Sequence, residues 1–339
     1  MRASPKMFRS HLAERRKGGT VRARCRVLGG LVGLFFTLWT VAVPRLSGAG
    51  EGAKGTIRIS GAWALYPMVV KWGEVYMKAN PGIRVDISAG GAGKGAADAL
   101  SGLVDIGMVS REIQPAEIQK GGFCVAVVKD AVLPVVNEKN PVIKDLLTKG
   151  VKRETFVGVW IKHDLKSWGE VAGTEAGDAV HVYTRSDACG AAETWAKYLG
   201  GKQEDLKGVG VFGDPGIAER VRRDPLGIGY NNLNFAYSVR TRKANPGLAI
   251  VPIDVNGNGK LDKEEQFYEN KDTVLGAIAD GRYPSPPARD LNFLTKGKPS
   301  GAVAEFIRWA LTEGQKYADE AGYVPLPEAR RQEELAKLR

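Results

Sequence analysis

Two hydrophobic periods alternate along this chain. At 56–60 every second residue is apolar (Ile57, Ile59), which predicts a short strand. Over 67–80, Met68, Val69, Trp72, Val75 and Tyr76 recur at three- and four-residue steps and predict a helix with one apolar face. Asn80-Pro81-Gly82 stops that helix, and alternation resumes at 83–87. The glycine-rich stretch 90–95 leads into a predicted short helix at 96–101 and a strand at 104–109. Strand, glycine turn and helix in repetition predict an α/β protein. Such an order puts backbone N–H groups and helix N-termini at one edge of a parallel sheet, the edge that favours anions.

Composition narrows the class. The 339 residues allow about two lobes, and 43% hydrophobic with 26% charged residues describes an ordinary globular chain. The net charge of +11 suggests a nucleic-acid partner until it is mapped. Residues 1–49 hold ten of the 49 Lys and Arg and one of the 38 acids, so the rest is nearly balanced and no nucleic acid is expected. Arg15, Arg16, Lys17, Arg22, Arg24 and Arg26 precede an uncharged apolar run at 27–43, then Pro44 and the small residues Ser47 and Ala49. This reads as an export signal, residues 1–49, processed after Ala49, or as an uncleaved signal anchor. Either places the folded chain in the periplasm. Beyond it stand Cys124 and Cys189, whose separation does not say whether they pair.

Longer motifs then join up. Ile59-Ser60-Gly61-Ala62-Trp63-Ala64-Leu65-Tyr66-Pro67 resembles the first strand and turn of the phosphate ABC transporter substrate-binding proteins, a family with a type II periplasmic-binding-protein-like fold. Gly90-Gly91-Ala92-Gly93-Lys94-Gly95 with Asp105-Ile106-Gly107 resembles that family's second glycine turn and strand, and Ser110-Arg111-Glu112 the end of its Ser-Ser-Arg-Glu motif. Arg185-Ser186-Asp187-Ala188-Cys189-Gly190-Ala191-Ala192-Glu193 is similar to its Arg-Ser-Asp-Gly-Ser-Gly-Thr-x-Glu motif. The set runs in order from about Gly55 to Pro327.

The resemblance implies two α/β lobes, each a mixed sheet flanked by helices, joined by two crossovers. The expected division is 55–130 for the first part of lobe 1, 131–247 for lobe 2, 248–327 for the return to lobe 1, and a charged tail at 328–339. It also implies a monomer that holds a small oxyanion between its lobes and delivers it to an ABC permease. The ligand set carried over is Ala64, Leu65, Tyr66, Ala92, Gly93, Ser110, Arg185, Cys189, Gly190 and Ala191. Arg185 is the charged fork for the oxyanion, accompanied by Asp187, and a helix over 191–197 completes the site with its N-terminus.

The departures matter as much. Ala62-Trp63-Ala64 stands where the family has Ser-Ser-Thr, and Ala92, Val109, Cys189 and Ala191 stand where it has hydroxyls. A hydrogen bond to a charged group contributes roughly 1.5–3 kcal/mol, so several losses imply weaker or different coordination. Phosphate is the family default. Arsenate, molybdate or an organic phosphate is the alternative ligand, and a sensor or adaptor the alternative role. If Cys189 sits at a helix N-terminus beside Arg185, its thiol pKa should be lowered.

A second constellation is independent of the cleft. Asp254, Asn256, Asn258, Asp262 and Glu265, with the Lys260 carbonyl, occupy the ligand positions of a 12-residue calcium loop over 254–265, and Gly259 sits at its sharp turn. The expected cofactor is a structural Ca²⁺. Catalysis is not expected, because no nucleophile stands beside a base and no histidine adjoins the glycine turns.

Overall fold

The structure is a computed structural model that describes residues 55–339. The segment read as an export signal, and its cleavage site, lie outside the described residues. Strand β1 (Gly55–Gly61), helix α1 (Tyr66–Ala79), strand β2 (Ile83–Ala89), helix α2 (Ala92–Ser101) and strand β3 (Ile106–Val109) follow in the order the periodicity predicts. Helix α2 starts four residues earlier than expected. Ala92, Gly95, Ala96 and Ala99 form one buried face, and that burial outweighs the cost of about 1 kcal/mol for a glycine within a helix.

Strand β4 (Gly122–Asn137) decides the architecture, because its 16 residues serve two sheets. Its first part pairs antiparallel with the return strand Ala288–Lys296, which lies beside the parallel group β3, β1 and β2. Its second part, Val132–Val136, pairs antiparallel with Gly227–Asn232, followed by His181–Arg185 and Val209–Val211 in parallel. Two apolar cores result. Met68, Trp72, Val128, Phe293 and Phe306 belong to the first, and Ala131, Trp160, Trp195, Tyr230 and Ile278 to the second. The change falls between Val128 and Ala131 on β4 and between Ala288 and Leu291 on the return strand. Two lobes thus share two crossing strands, with Arg289 opposite Asp130 at the crossing.

Two boundaries differ from those expected. Residues 248–283 pack in the second core through Leu248, Ile253, Phe267, Val274 and Tyr283, so the chain returns to lobe 1 beyond Ala288 rather than at 248. The cause is a pairing invisible in the sequence: Leu248–Ile250 lies antiparallel on Val135–Asn137 of β4, which ties the segment to lobe 2. The charged tail is also a packed element. Glu328–Lys337 is a helix whose Leu335, with Leu338 just beyond it, meets the first core. Its fully buried Glu334 accepts the Ala126 N–H at 3.2 Å, between Arg330 at 3.0 Å and Lys337 at 2.6 Å.

Candidate functional site

The two glycine turns and the Arg185 motif meet between the lobes. Helix α1 has no side-chain cap, because its N-cap residue is the apolar Leu65, and Pro67 fixes its first turn. The amides of Leu65 and Tyr66 both bond to the Ala62 carbonyl, at 3.1 and 3.2 Å, so their own turn already engages them. Ala64 and Leu65 are buried, Tyr66 is half-buried, and the Tyr323 hydroxyl donates to the Ala64 carbonyl at 2.7 Å. Across the cleft, the Gly93 N–H at the start of α2 donates to the Ala188 carbonyl at 3.1 Å. Gly190 lies so close to Ser110 that a Cβ there would stand 2.2 Å from the Ser110 carbonyl oxygen, and only glycine permits this approach. Ala92, Gly93, Ser110, Cys189, Gly190 and Ala191 therefore do come together.

Arg185, at the end of its strand, is completely buried and held by two carboxylates. Its Nε and Nη2 donate to Asp187 Oδ1 and Oδ2 at 2.8 and 2.6 Å, and its Nη1 donates to Asp214 Oδ2 at 2.7 Å. Burial opposes the guanidinium charge, but the carboxylates of Asp214 and Asp187 outweigh it and raise the pKa above its ordinary value. The group is a fixed cation. Asp214 begins the helix Gly213–Arg223 and is itself wholly buried. Its Oδ1 accepts from the Asn232 backbone N–H at 3.1 Å and from Asn232 Nδ2 at 2.5 Å. Asp187 Oδ1 also accepts the Gly213 N–H at 3.1 Å.

Cys189 caps the helix Gly190–Leu199, with its sulfur accepting the Ala192 N–H at 3.4 Å. The placement beside Arg185 is as expected, but the thiol pKa is not lowered. Burial pushes it up to about 12, Arg185 only partly opposes that, and Asp187 and Asp214 add to it. Cys189 is a neutral packing and capping residue.

Asp214, Gln203 and Arg289 were not foreseen as contributors. Asp214 sits in Gly213-Asp214-Pro215-Gly216, which reads as an ordinary turn. Gln203 accepts the Cys189 N–H at 3.2 Å and donates to the Asp187 carbonyl at 2.8 Å. Arg289, from the crossing, donates to the Gly190 carbonyl at 2.7 Å and to Asn232 Oδ1, and faces Asp130 at 3.2 Å. Trp63, where the family has a hydroxyl, spans the cleft edge-on to Phe212 and Phe235, each 6.4 Å away, and its buried indole N–H has no partner. Lys94 bonds to Asp98 on its own helix. A cavity of about 750 Å³ flanks the junction, walled by Arg111, Lys129, Glu193, Lys197, Arg289 and Asp290; Arg185 is not in its wall. Its cations face carboxylates, as with Arg111 on Glu193 at 3.0 Å and Lys197 on Glu112 at 2.6 Å.

The calcium-type loop folds around two buried carboxylates. Asp254 accepts the Gly257 and Gly259 N–H groups at 2.7 and 2.8 Å, and Glu265 accepts those of Val255 and Asp262 at 2.8 and 3.1 Å. Asp262 instead takes the side-chain amides of Asn256 and Asn258 at 2.8 and 2.7 Å, and lies 3.3 Å from the Lys260 ammonium. Among the described residues no three acidic, imidazole or thiol groups converge on one point.

Comparison with known proteins agrees with this fold. Over 307 aligned residues the chain is 25% identical to the phosphate-binding protein PstS of Xylella fastidiosa, covering 80% of this chain and 82% of that one. It is 24% identical over 278 residues to PstS of Bacillus subtilis, covering 81% and 82%. A substrate-binding protein from Clostridium perfringens with bound phosphate superposes with a TM-score of 0.65 at 20% identity, covering 80% of this chain and all of that one. An ABC-type phosphate transport receptor from Vibrio cholerae gives 0.58 at 20% identity, with the same coverage. The profile of the PBP superfamily domain matches residues 47–313. With two lobes on two crossing strands and a match over most of its length, the chain belongs to the PBP superfamily.

Proposed function

We propose that this chain is the extracytoplasmic solute-binding protein of an ABC importer and takes phosphate or a related oxyanion between its lobes. The observation that carries this reading is the buried Arg185, set where the N-terminal turns of α2 and the helix Gly190–Leu199 face each other across the cleft. Two helix N-termini and a guanidinium favour an anion at that point. PstS relatives that match over some four fifths of both chains support phosphate as the first ligand to test. The chain acts as a monomer that presents both lobes to a permease and transforms nothing. The 254–265 loop adds a structural role: Asp254 and Glu265 are buried carboxylates bonded only to backbone N–H groups, a donor set suited to a hard cation such as Ca²⁺.

Calorimetric titration of the protein lacking residues 1–49 with phosphate, arsenate, molybdate and sulfate tests the cleft. At least one should bind with sub-millimolar affinity, and Arg185→Ala should weaken it by about 100-fold or more, as loss of a charged bond at a buried site requires. Unchanged affinity in Arg185→Ala would put the site elsewhere. A lost folding transition in that variant is checked with Arg185→Lys, which keeps the charge but not the fork.

A further inference from the structure

The charge around Arg185 does not balance. One guanidinium is enclosed by two carboxylates, Asp187 and Asp214, both almost wholly buried. The neighbouring groups from each packed element do not restore the balance. From the return strand, Arg289 is matched by Asp130 of β4 at 3.2 Å. From α2, Lys94 bonds to Asp98; Arg111, just beyond β3, lies on Glu117 and Glu193. Cys189 and Tyr230 are buried neutral groups. Lys271 bonds to Asn234 and faces Asp130, Asp272 and Arg242. The anchor of the cleft therefore carries one negative charge in excess.

We propose that Asp214 is a specificity-determining residue: as the second carboxylate on Arg185 it turns the cleft toward singly charged oxyanions and away from doubly charged ones. The inference rests on the anion-binding reading above. Helix N-termini supply roughly half a positive charge each, and the two that face the cleft, with that of Gly213–Arg223, whose Gly213 N–H meets Asp187, bring the site near neutrality and leave no surplus of positive charge for a second negative one. A monoanion then enters a site near neutrality and keeps its hydrogen bonds. A dianion loses far more hydration on burial, because that cost grows steeply with charge, and finds no second cation to replace it. Asp214 cannot swing away to relieve this. Asn232 holds its Oδ1 through both backbone and side chain, and Arg289 in turn holds Asn232.

Perrhenate and tungstate are tetrahedral oxyanions alike in shape and differing by one charge, and neither titrates near pH 7.5. Calorimetric titration at that pH should give the natural protein a preference for perrhenate of about tenfold or more. Asp214→Asn should shift the ratio toward tungstate by a similar factor; Asp214→Ser serves if the amide nitrogen against Arg185 prevents folding. Tungstate bound as tightly as perrhenate by the natural protein, or an unchanged ratio in the folded variant, overturns the role of Asp214 and leaves anion binding intact. If perrhenate, tungstate and phosphate all fail to bind the natural protein, the anion-binding reading falls and this inference with it.

Discussion

Lys271 shows what one buried side chain does to stability. It is fully buried, and its ammonium bonds to Asn234, whose own side-chain nitrogen has no partner. Burial pulls its pKa down to about 7; Arg242 adds to the fall, and Asp272 and Asp130 oppose it. In the unfolded chain the group has its ordinary value near 10.4. Between those values the unfolded state binds a proton that the folded state does not, so stability rises with pH across that window, by up to about 1.4 kcal/mol per unit. Asp130 works below it. Burial pushes its pKa up to about 7, so its contribution falls as pH rises from about 4 to 7 and is flat above. The Cys124 and Cys189 thiols, pushed up by burial to about 12, act in the opposite sense above about pH 8.5, because they ionise only in the unfolded chain. Urea unfolding at pH 7.5 and 9.5 should therefore show the natural protein gaining stability relative to Lys271→Met, in which only the thiol loss remains. An equal change in the two proteins would remove Lys271 from the pH dependence.

At the scale of one element, the 254–265 loop tests how far a ligand pattern acts without its ion. Asp254 and Glu265 already hold the loop through backbone N–H groups, while Asp262 is turned onto two amides. Calcium should draw Asp262 away from Asn256 and Asn258 and stabilise the folded state by mass action. Millimolar calcium should then raise the melting temperature by a few degrees relative to EDTA. Glu265→Gln should abolish that response and leave the cleft affinity unchanged. Identical melting with calcium and EDTA would make the loop a turn held by its own amides. Because 248–283 packs with lobe 2, the stabilisation belongs to that lobe and not to the return segment.

For the whole molecule the question is what holds the lobes together. Backbone contacts close the cleft at Gly93–Ala188 and Gly190–Ser110, and one partly buried ion pair crosses it, Arg111–Glu193 at 3.0 Å. Arg111 is buried and also fixed by Glu117 at 2.6 Å, so it loses little freedom when Glu193 arrives. Glu193→Gln should favour the open form and speed ligand release about two- to fivefold, the range of a partly exposed pair. Small-angle scattering should show a larger radius of gyration for the ligand-free variant than for the natural protein. An unchanged release rate and radius would leave closure to the backbone contacts and the exposed Lys197–Glu112 pair.

Local information sufficed for much of this. Alternation and helical periodicity placed β1, α1 and β2 within two residues, because an apolar face must be buried whichever partner it meets. Arg185 and the glycines around it could be found because their roles need one residue type: a rigid cation, or no Cβ at all. What lay beyond the sequence were pairings across long separations. The lobe 2 position of 248–283 depends on β4, more than a hundred residues earlier. The neutrality of Cys189 depends on how much protein covers it, which no motif encodes. Asp214 reads as a turn residue until the fold brings it, 29 positions along the chain, onto Arg185. Periodicity is a property of neighbours in the chain, whereas charge balance in a closed cleft is a property of neighbours in space.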